Sequence, residues 1–541
     1  MNIKAFFLSL ILFSALSCED FLDHPLTGSV SDDNIGEILQ KDPAKLKEFL
    51  AGGYRSYGGL TLYARYLPQA LATMSHEIDI DWLGEEGRNE FVKNSMTSVN
   101  SYVKDIYAKY YSTLSSLNLV LDMVDFIDLA KLSNSDADMV LNIKGEALFM
   151  RALVHFDLLR CYGEKGPNFS GDYPANKDAK GIILIDGPLD PGQILKGRST
   201  VEETYQSILN DLLEAEKIIA DNQIPANTVT PSPGYTDTDF MEDTRWAQKP
   251  AVYALLGKVY LYMQNFDEAK SCFEKIINDS RFKLDKPVNF TDYLQHRDNN
   301  EECIFSLQYY LASGSSYDDT PSHQLVRIFG SSPGGWKNYF ITKQTCDRFG
   351  NDPRLYEATL YDHDWETSPG TWATATDYPV FATLDADAPG FRCWARKPTD
   401  FFNISTPRDC SKNLDIIRLA DIYLMYAECS LRKSSPDIAT ATEYVNKVRR
   451  RAWGQTDYNT PGANDLATVD MAILSHERFK ELFFENHRWF DLCRWGTLQD
   501  EIALYKDTGV GAPQYSDNSY YMPIPETEIK ANRYLEQNRG Y

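Results

Sequence analysis

The stretch RFKELFFENHRWFDLCRWG, residues 478–496, crowds acids, bases, a histidine and large aromatic rings into nineteen positions. Such a cluster could be general acid–base machinery, a metal site or one wall of a core. Helical spacing separates these possibilities. On a helix, Phe479, Leu482, Phe483, Phe490 and Cys493 share one apolar face. Glu485, Arg488, Asp491 and Arg494 recur every three residues along another stripe. That stripe reads as a ladder of opposite charges, each exposed pair worth about 0.3–0.5 kcal/mol. His476 and His487 stand eleven residues apart, without the HExxH spacing that puts two imidazoles on one zinc. The stretch therefore reads as structural.

Other chemistry is equally thin. A glycosidase needs two carboxylates about 5–9 Å apart, and Asp79, Asp81, Glu85 and Glu86 lie close in sequence. With 78 acidic residues in the chain, however, such neighbours arise readily. The chain shows no nucleophile elbow, P-loop, dinucleotide fingerprint or CxxC pair, so no catalytic residue, cofactor or metal site is expected. Acids exceed Lys plus Arg by 78 to 54, a net charge of −24. Nucleic-acid affinity rests on cations neutralising phosphates, so a polyanion is disfavoured and a neutral or cationic ligand fits better. The densest basic patch, KVRRRAW (447–453), falls on a helical pattern.

What positions the loops is more legible. YALLGKVYLYMQNFDEAKSCFEKII (253–277) matches the tetratricopeptide pattern at Tyr253, Leu256, Gly257, Tyr260, Ala269 and Phe273. Gly257 and Ala269 allow two antiparallel helices to approach closely. A looser copy spans 423–449, where Ala427, Ala441, Val445 and Val448 fit if two residues are inserted at the turn. A third pair joins 142–163 to 199–219, with Thr200 and Glu203 forming a capping box. A fourth unit, 101–127, is apolar at helical spacing. Units of this kind bury their faces against neighbours and stack into a superhelix. The expected fold is mainly α, a tetratricopeptide-type scaffold with long irregular loops and a few short strands. Residues 164–198, 221–246 and about 280–415 lack helical period and supply the loops. CIFSLQYYL (303–311) reads as a strand among them. Loops this long in a compact protein usually carry function.

The N-terminus reads as a signal peptide over 1–17: Lys4, then an apolar run from Ala5 to Leu16. Twelve apolar residues are too few to span a bilayer core of about 30 Å. Ser17–Cys18 suits a lipoprotein signal, with Cys18 the lipidated first residue of the mature chain; an ordinary secretory signal is the alternative. Cys161, Cys272, Cys429 and Cys493 read as small buried hydrophobes. Cys393 and Cys410 lie in loop-like sequence and could pair in an oxidising compartment.

Several motifs then carry a resemblance. ERFKELFFENHRWFDLCRWG (477–496), RLADIYLMYAECSLRK (418–433) and GEALFMRALVHFDLLRCYG (145–163) resemble signatures of the SusD/RagB family, outer-membrane nutrient-binding lipoproteins of Bacteroidota. YMPIPETEI (521–529) with the terminal LEQNRGY is similar to that family's ending, with Arg539 where Pro is usual. CEDFLD (18–23) is similar to its mature start. The resemblance spans nearly the full chain: an N-terminal region 18–230 and a C-terminal region 231–541, packed as one globular unit. It implies capture of a nutrient, commonly a glycan, without catalysis. The implied partner is a TonB-dependent outer-membrane transporter, over which the lipoprotein sits as a lid. Anchorage would be through lipid alone, with Glu19 and Asp20 resembling a surface-export signal. A peptide-capturing relative is one alternative, a surface glycoside hydrolase another.

Sugar rings want flat aromatics to stack on and polar groups for their hydroxyl rims. In MSHEIDIDWLGEEGRNEF (74–91), Trp82 stands beside Asp79 and Asp81, with Arg88 and Asn89 nearby. Where the family usually has Asp before Glu, His76 precedes Glu77. In SSPGGWKNYF (331–340), two glycines are expected to expose Trp336 and Tyr339, ahead of the family-like NDPR (351–354). Tyr309, Tyr310, Tyr317, Trp365 and Trp372 are further stacking candidates. Each of these aromatics could instead plug a loop onto the core.

Overall fold

The computed structural model describes residues 32–80, 86–165, 173–187, 195–221, 246–284, 301–309, 324–329, 339–355, 359–361, 393–395, 413–505 and 513–541. Eight helices make the frame: α1 (Leu46–Tyr57), α2 (Ser101–Asp125), α3 (Asn134–Tyr162), α4 (Val201–Ile218), α5 (Lys249–Tyr262), α6 (Phe266–Ile277), α7 (Leu419–Arg432) and α8 (Ile438–Ala452). Each packs on the next in chain order, giving four antiparallel pairs piled in tandem.

The pair α5–α6 follows the repeat register. Leu256, Ala269 and Phe273 are buried between the helices. A Cβ at Gly257 would come within 2.4 Å of the Phe273 ring, so only glycine lets the helices close. Gly257→Leu is accordingly expected to cost about 1–3 kcal/mol through overpacking. A thermal melt checks this, and an unchanged midpoint would contradict the register. The pair α7–α8 buries Ala427, Ala441, Val445 and Val448 as expected. The α4 start carries the expected capping box, with Thr200 Oγ1 accepting from the Glu203 amide and Glu203 accepting from the Thr200 amide. The helix 101–127 pairs with α1, an element the apolar periodicity had left unassigned.

Residues 478–496 depart from expectation. They are not one helix. Instead α9 (Met471–Glu481) and α10 (Arg488–Trp495) flank a turn in which Phe484 (φ 62°) and Asn486 (φ 64°) are left-handed. A bulky residue there is strained. Burial of the Phe484 ring at 5.4 Å from Phe329, and a bond from its amide to Glu77 Oε1 at 3.2 Å, hold the turn. The charges are not an exposed ladder either. Arg478 bonds Asp421 at 2.8 Å and Asp491 at 2.7 Å, Arg494 bonds Glu428 and Asp491, and Arg488 bonds Glu501 at 2.9 Å, all buried. The stretch is structural, as read, but as a buried ionic lock rather than a solvated stripe. Arg478 and Arg494 overcome the effect of burial and hold the Asp491 carboxyl at about 2. The basic patch on α8 is absorbed the same way, with Arg449 on Glu477, Arg450 on Glu443 and Asp465, and Arg451 on Glu302 and Glu481.

The described strands form three short antiparallel ribbons: β1 (Asp79–Ile80) with β3 (Tyr339–Phe340), β2 (Cys303–Leu307) with β6 (Leu414–Arg418), and β4 (Thr359–Tyr361) with β5 (Cys393–Ala395). The expected strand at 303–311 is thus present in its first half. Cys161, Cys272, Cys429 and Cys493 are buried free thiols. Cys410 lies outside the described residues.

Candidate functional site

Two of the loops that the sequence singles out are rooted on one ribbon. Asp79 pairs with Phe340 and Ile80 with Tyr339. Because the strands are antiparallel, the chain leaves Ile80 and enters Tyr339 at the same end. Trp82 stands two residues beyond Ile80, and Trp336 three residues before Tyr339.

The ribbon rests on its own apolar cluster, separate from the helical core. Ile78, Ile80, Ile328, Phe329, Tyr339, Phe349, Phe479 and Phe483 are all buried there. Polar contacts tie this platform to the frame. On the helix Tyr66–Met74, Gln69 Nε2 donates to the Tyr339 hydroxyl. The Gln324 amide donates to the Ala64 carbonyl at 3.0 Å. Thr345 Oγ1 donates to the His76 carbonyl at 3.3 Å. In NDPR, Arg354 bonds Asp352, Glu477 and Glu481 at 2.7–3.0 Å. Through Arg354 and Asp352 that motif fastens the platform to α9. Sequence reading missed the Tyr66–Met74 helix because YLPQALATM is buried from Leu67 to Met74. A helix covered all round shows no amphipathic period.

The described candidates Arg88, Asn89, Tyr309 and Tyr339 are all buried. Tyr339 is 1% exposed, its ring 5.9 Å from Phe329, so the expectation that glycines expose it does not hold. Its ring packs into the apolar cluster beneath the ribbon, and its hydroxyl accepts from Gln69 Nε2. Arg88 is buried, donating from Nε to the Tyr102 hydroxyl at 2.7 Å with its guanidinium 5.4 Å from that ring. Asn89 is buried beside it in sequence. Tyr309 is buried too, its hydroxyl donating to the Gly58 carbonyl at 2.7 Å. Asp81, Trp82, Tyr310, Tyr317, Trp336, Trp365, Trp372 and Cys18 lie outside the described residues.

His76, which stands where the family favours an acid, is a packing residue. It adopts φ 55°, stacks on Tyr505 at 4.6 Å and has Asn94 Nδ2 3.2 Å from its Nε2. Burial depresses its pKa to about 4, and burial likewise depresses those of His155 and His487 to about 3. His155 has neither ring nitrogen bonded, and Lys258 Nζ lies 3.3 Å from His487 Nδ1. The folded state keeps all three neutral, whereas the unfolded chain protonates them below about 6.5. The unfolded state then binds more protons, so stability falls with falling pH. Unfolding free energy is expected to drop by several kcal/mol between about pH 6.5 and 3. Denaturant titrations at pH 7 and pH 4.5 check this, and equal midpoints would contradict it.

Among the described residues, no group of three His, Cys, Asp or Glu is placed to hold a metal ion. Asp79, from the acidic run considered for hydrolysis, is buried with Oδ1 accepting from the Ile80 amide at 2.7 Å. No described helix is long and apolar enough to cross a membrane.

Comparison with known proteins decides the family. A model described as the SusD family matches residues 301–541, and one described as "Starch-binding associating with outer membrane" matches 29–261. The chain belongs to the SusD/RagB family. A SusD-like protein of Formosa agariphila is 24% identical over 567 residues, 98% of each chain. The solved structure of a SusD homolog from Bacteroides thetaiotaomicron superposes with a TM-score of 0.72 at 20% identity, covering 94% of this chain and 99% of that one. A structure named as a laminarin-binding SusD-like protein superposes at 0.66 with 19% identity, over 92% and 99%. At these identities the structural likeness establishes the SusD fold. Membership brings association with the outer membrane, in a family of binding proteins rather than catalysts.

Proposed function

We propose that this SusD-family protein captures a glycan at the cell surface and delivers it to a partner TonB-dependent outer-membrane transporter, without cleaving it. The observation that carries the reading is the β1–β3 ribbon. It tethers Trp82 and Trp336 to one end of a rigid platform by no more than roughly 7 and 11 Å of chain. Two indoles so near in chain to one end of the ribbon, with Asp81 between Ile80 and Trp82, would suit stacking on pyranose faces and bonding to their hydroxyls. Tyr310, Trp365 and Trp372 would extend that face. Arg88, Asn89 and Tyr339 would act from beneath, by positioning the loops. The frame supplies rigidity, which lowers the ordering cost of binding.

The family's glycan-related names support the ligand class. Starch and laminarin are therefore the first polymers to test, by affinity electrophoresis with a reducing-end assay on the same incubations. Retardation without new reducing ends supports capture. New reducing ends would establish hydrolysis, and retention of peptides with no retention of glycan would replace the ligand. Cleavage after residue 17 and lipidation of Cys18 would anchor the chain facing outward. Cys18→Ala is expected to move the protein from membrane to soluble fractions, and unchanged partitioning would refute the anchor.

A further inference from the structure

A cleft at the C-terminal end of α3 shares no residue with the β1–β3 platform. It is a narrow cleft, open to solvent, between α3, α4, α5 and α10. Its walls are aromatic: Tyr173, Tyr205, Tyr262 and Phe490. Tyr173 and Tyr205 meet edge to face at 5.0 Å, which fixes both rings. Three cations and one acid also line it; the acid, Glu164, accepts from the Arg539 amide at 2.8 Å, and the cations differ in how they are used. Arg494 is spent on Glu428 and Asp491.

Arg160 is not fully used. It is 8% exposed, and its guanidinium lies 3.9 Å from the centre of the Phe490 ring and 4.5 Å from that of Phe156. Nη2 donates to Asp157, whose other oxygen accepts from the hydroxyls of Tyr57 and Tyr63 at 2.7 and 2.8 Å. The buried Nε has no hydrogen-bond partner. Lys165 is the third cation. Its electrostatic neighbours are the Cys493 and Cys161 thiols and Arg160, and burial lowers its pKa. No salt bridge joins it to a described carboxylate. A buried N–H without a partner is costly, and so is a half-buried ammonium with no carboxylate paired to it among the described residues. An anionic group in the cleft would relieve both, while the half-buried Tyr173 and Tyr262 offer ring surface to an attached pyranose.

We infer that this cleft takes a sugar acid, a pyranose bearing a carboxylate such as a uronic acid residue, with Lys165 and Arg160 on the carboxylate and the tyrosines against the ring. The chain's net charge of −24 repels acids at long range. Screening confines that repulsion to about 8 Å at physiological salt, so the local cations govern. The inference extends the glycan-capture reading by adding a second subsite.

The test is an NMR-detected titration of the purified protein with D-glucuronate, D-glucose and acetate. The expected result is at least tenfold tighter binding of glucuronate than of either other probe. Lys165→Met is expected to lose that preference and Lys165→Arg to retain it. Glucuronate binding is expected to persist in Trp82→Ala/Trp336→Ala, which separates this cleft from the platform. Equal affinity for glucuronate and glucose, acetate binding as tightly as glucuronate, or an unaffected Lys165→Met variant would each overturn the assignment. If starch or laminarin is retained while glucuronate shows no preference, the cleft inference fails alone and the capture reading stands.

Discussion

Replacing Arg418 by Met is expected to remove about 3–5 kcal/mol of stability, the usual cost of stranding buried charges by deleting one partner. Arg418 closes β6 and opens α7. Its guanidinium bonds Glu302 at 2.6 Å, Glu481 at 2.7 Å and Glu485 at 2.6 and 2.9 Å, and it also reaches the Glu481 carbonyl at 2.8 Å. Its side chain is 9% exposed and those of its three carboxylate partners 4–5%. The cluster continues through Arg451 and Arg354, which share Glu481, into NDPR under the loop platform. Loss of Arg418 should therefore loosen the platform as well as the frame. Lys131→Met is the contrast: its pair with Asp128 is solvent-exposed and screened, so its loss should leave stability nearly unchanged. Denaturant midpoints of the two variants compare them directly. Similar small losses would show the Arg418 cluster to be far better solvated than its burial indicates.

The largest functional effect is expected from Trp82→Ala combined with Trp336→Ala. A central indole anchor removed from a binding face commonly costs 2 kcal/mol or more, about thirtyfold in affinity. Losing both should reduce polymer retention below detection. The fold should be unaffected, because Ile80, Tyr339 and Phe329 hold the β1–β3 ribbon from underneath. An unchanged melting temperature with abolished retention is the expected pair of results. Unchanged affinity would move the site elsewhere.

How much of this was legible in the sequence follows from what each signal depends on. Gly257, Ala269 and Phe273 mark a helix pair because close approach demands particular residues at fixed spacing. Thr200 and Glu203 mark a helix start because the cap is local. The charges of 478–496 misled because spacing alone cannot distinguish a solvated stripe from a buried one. Their partners Asp421, Glu428 and Glu501 come from α7 and from the segment after α10, far off or unmarked in sequence. The turn at Phe484 was hidden for the same reason, since the Glu77 contact that holds it is 407 residues away. Trp82 and Trp336 are candidates by residue type and by the polar or glycine neighbours around them. That their loops share a root depends on a two-residue strand pairing too short to carry an alternation. Tyr339 was placed on the wrong side because its neighbouring glycines suggested exposure, whereas the strand that begins at Tyr339 buries it.

The central claim is that a rigid helical frame presents two loops from one ribbon to a passing polymer. Hydrogen–deuterium exchange with and without starch or laminarin tests it most directly. The account predicts slowed exchange in peptides covering 81–92 and 331–342, with α5 and α6 unchanged. Protection confined to the frame helices, with neither loop affected by a polymer that binds, would contradict it.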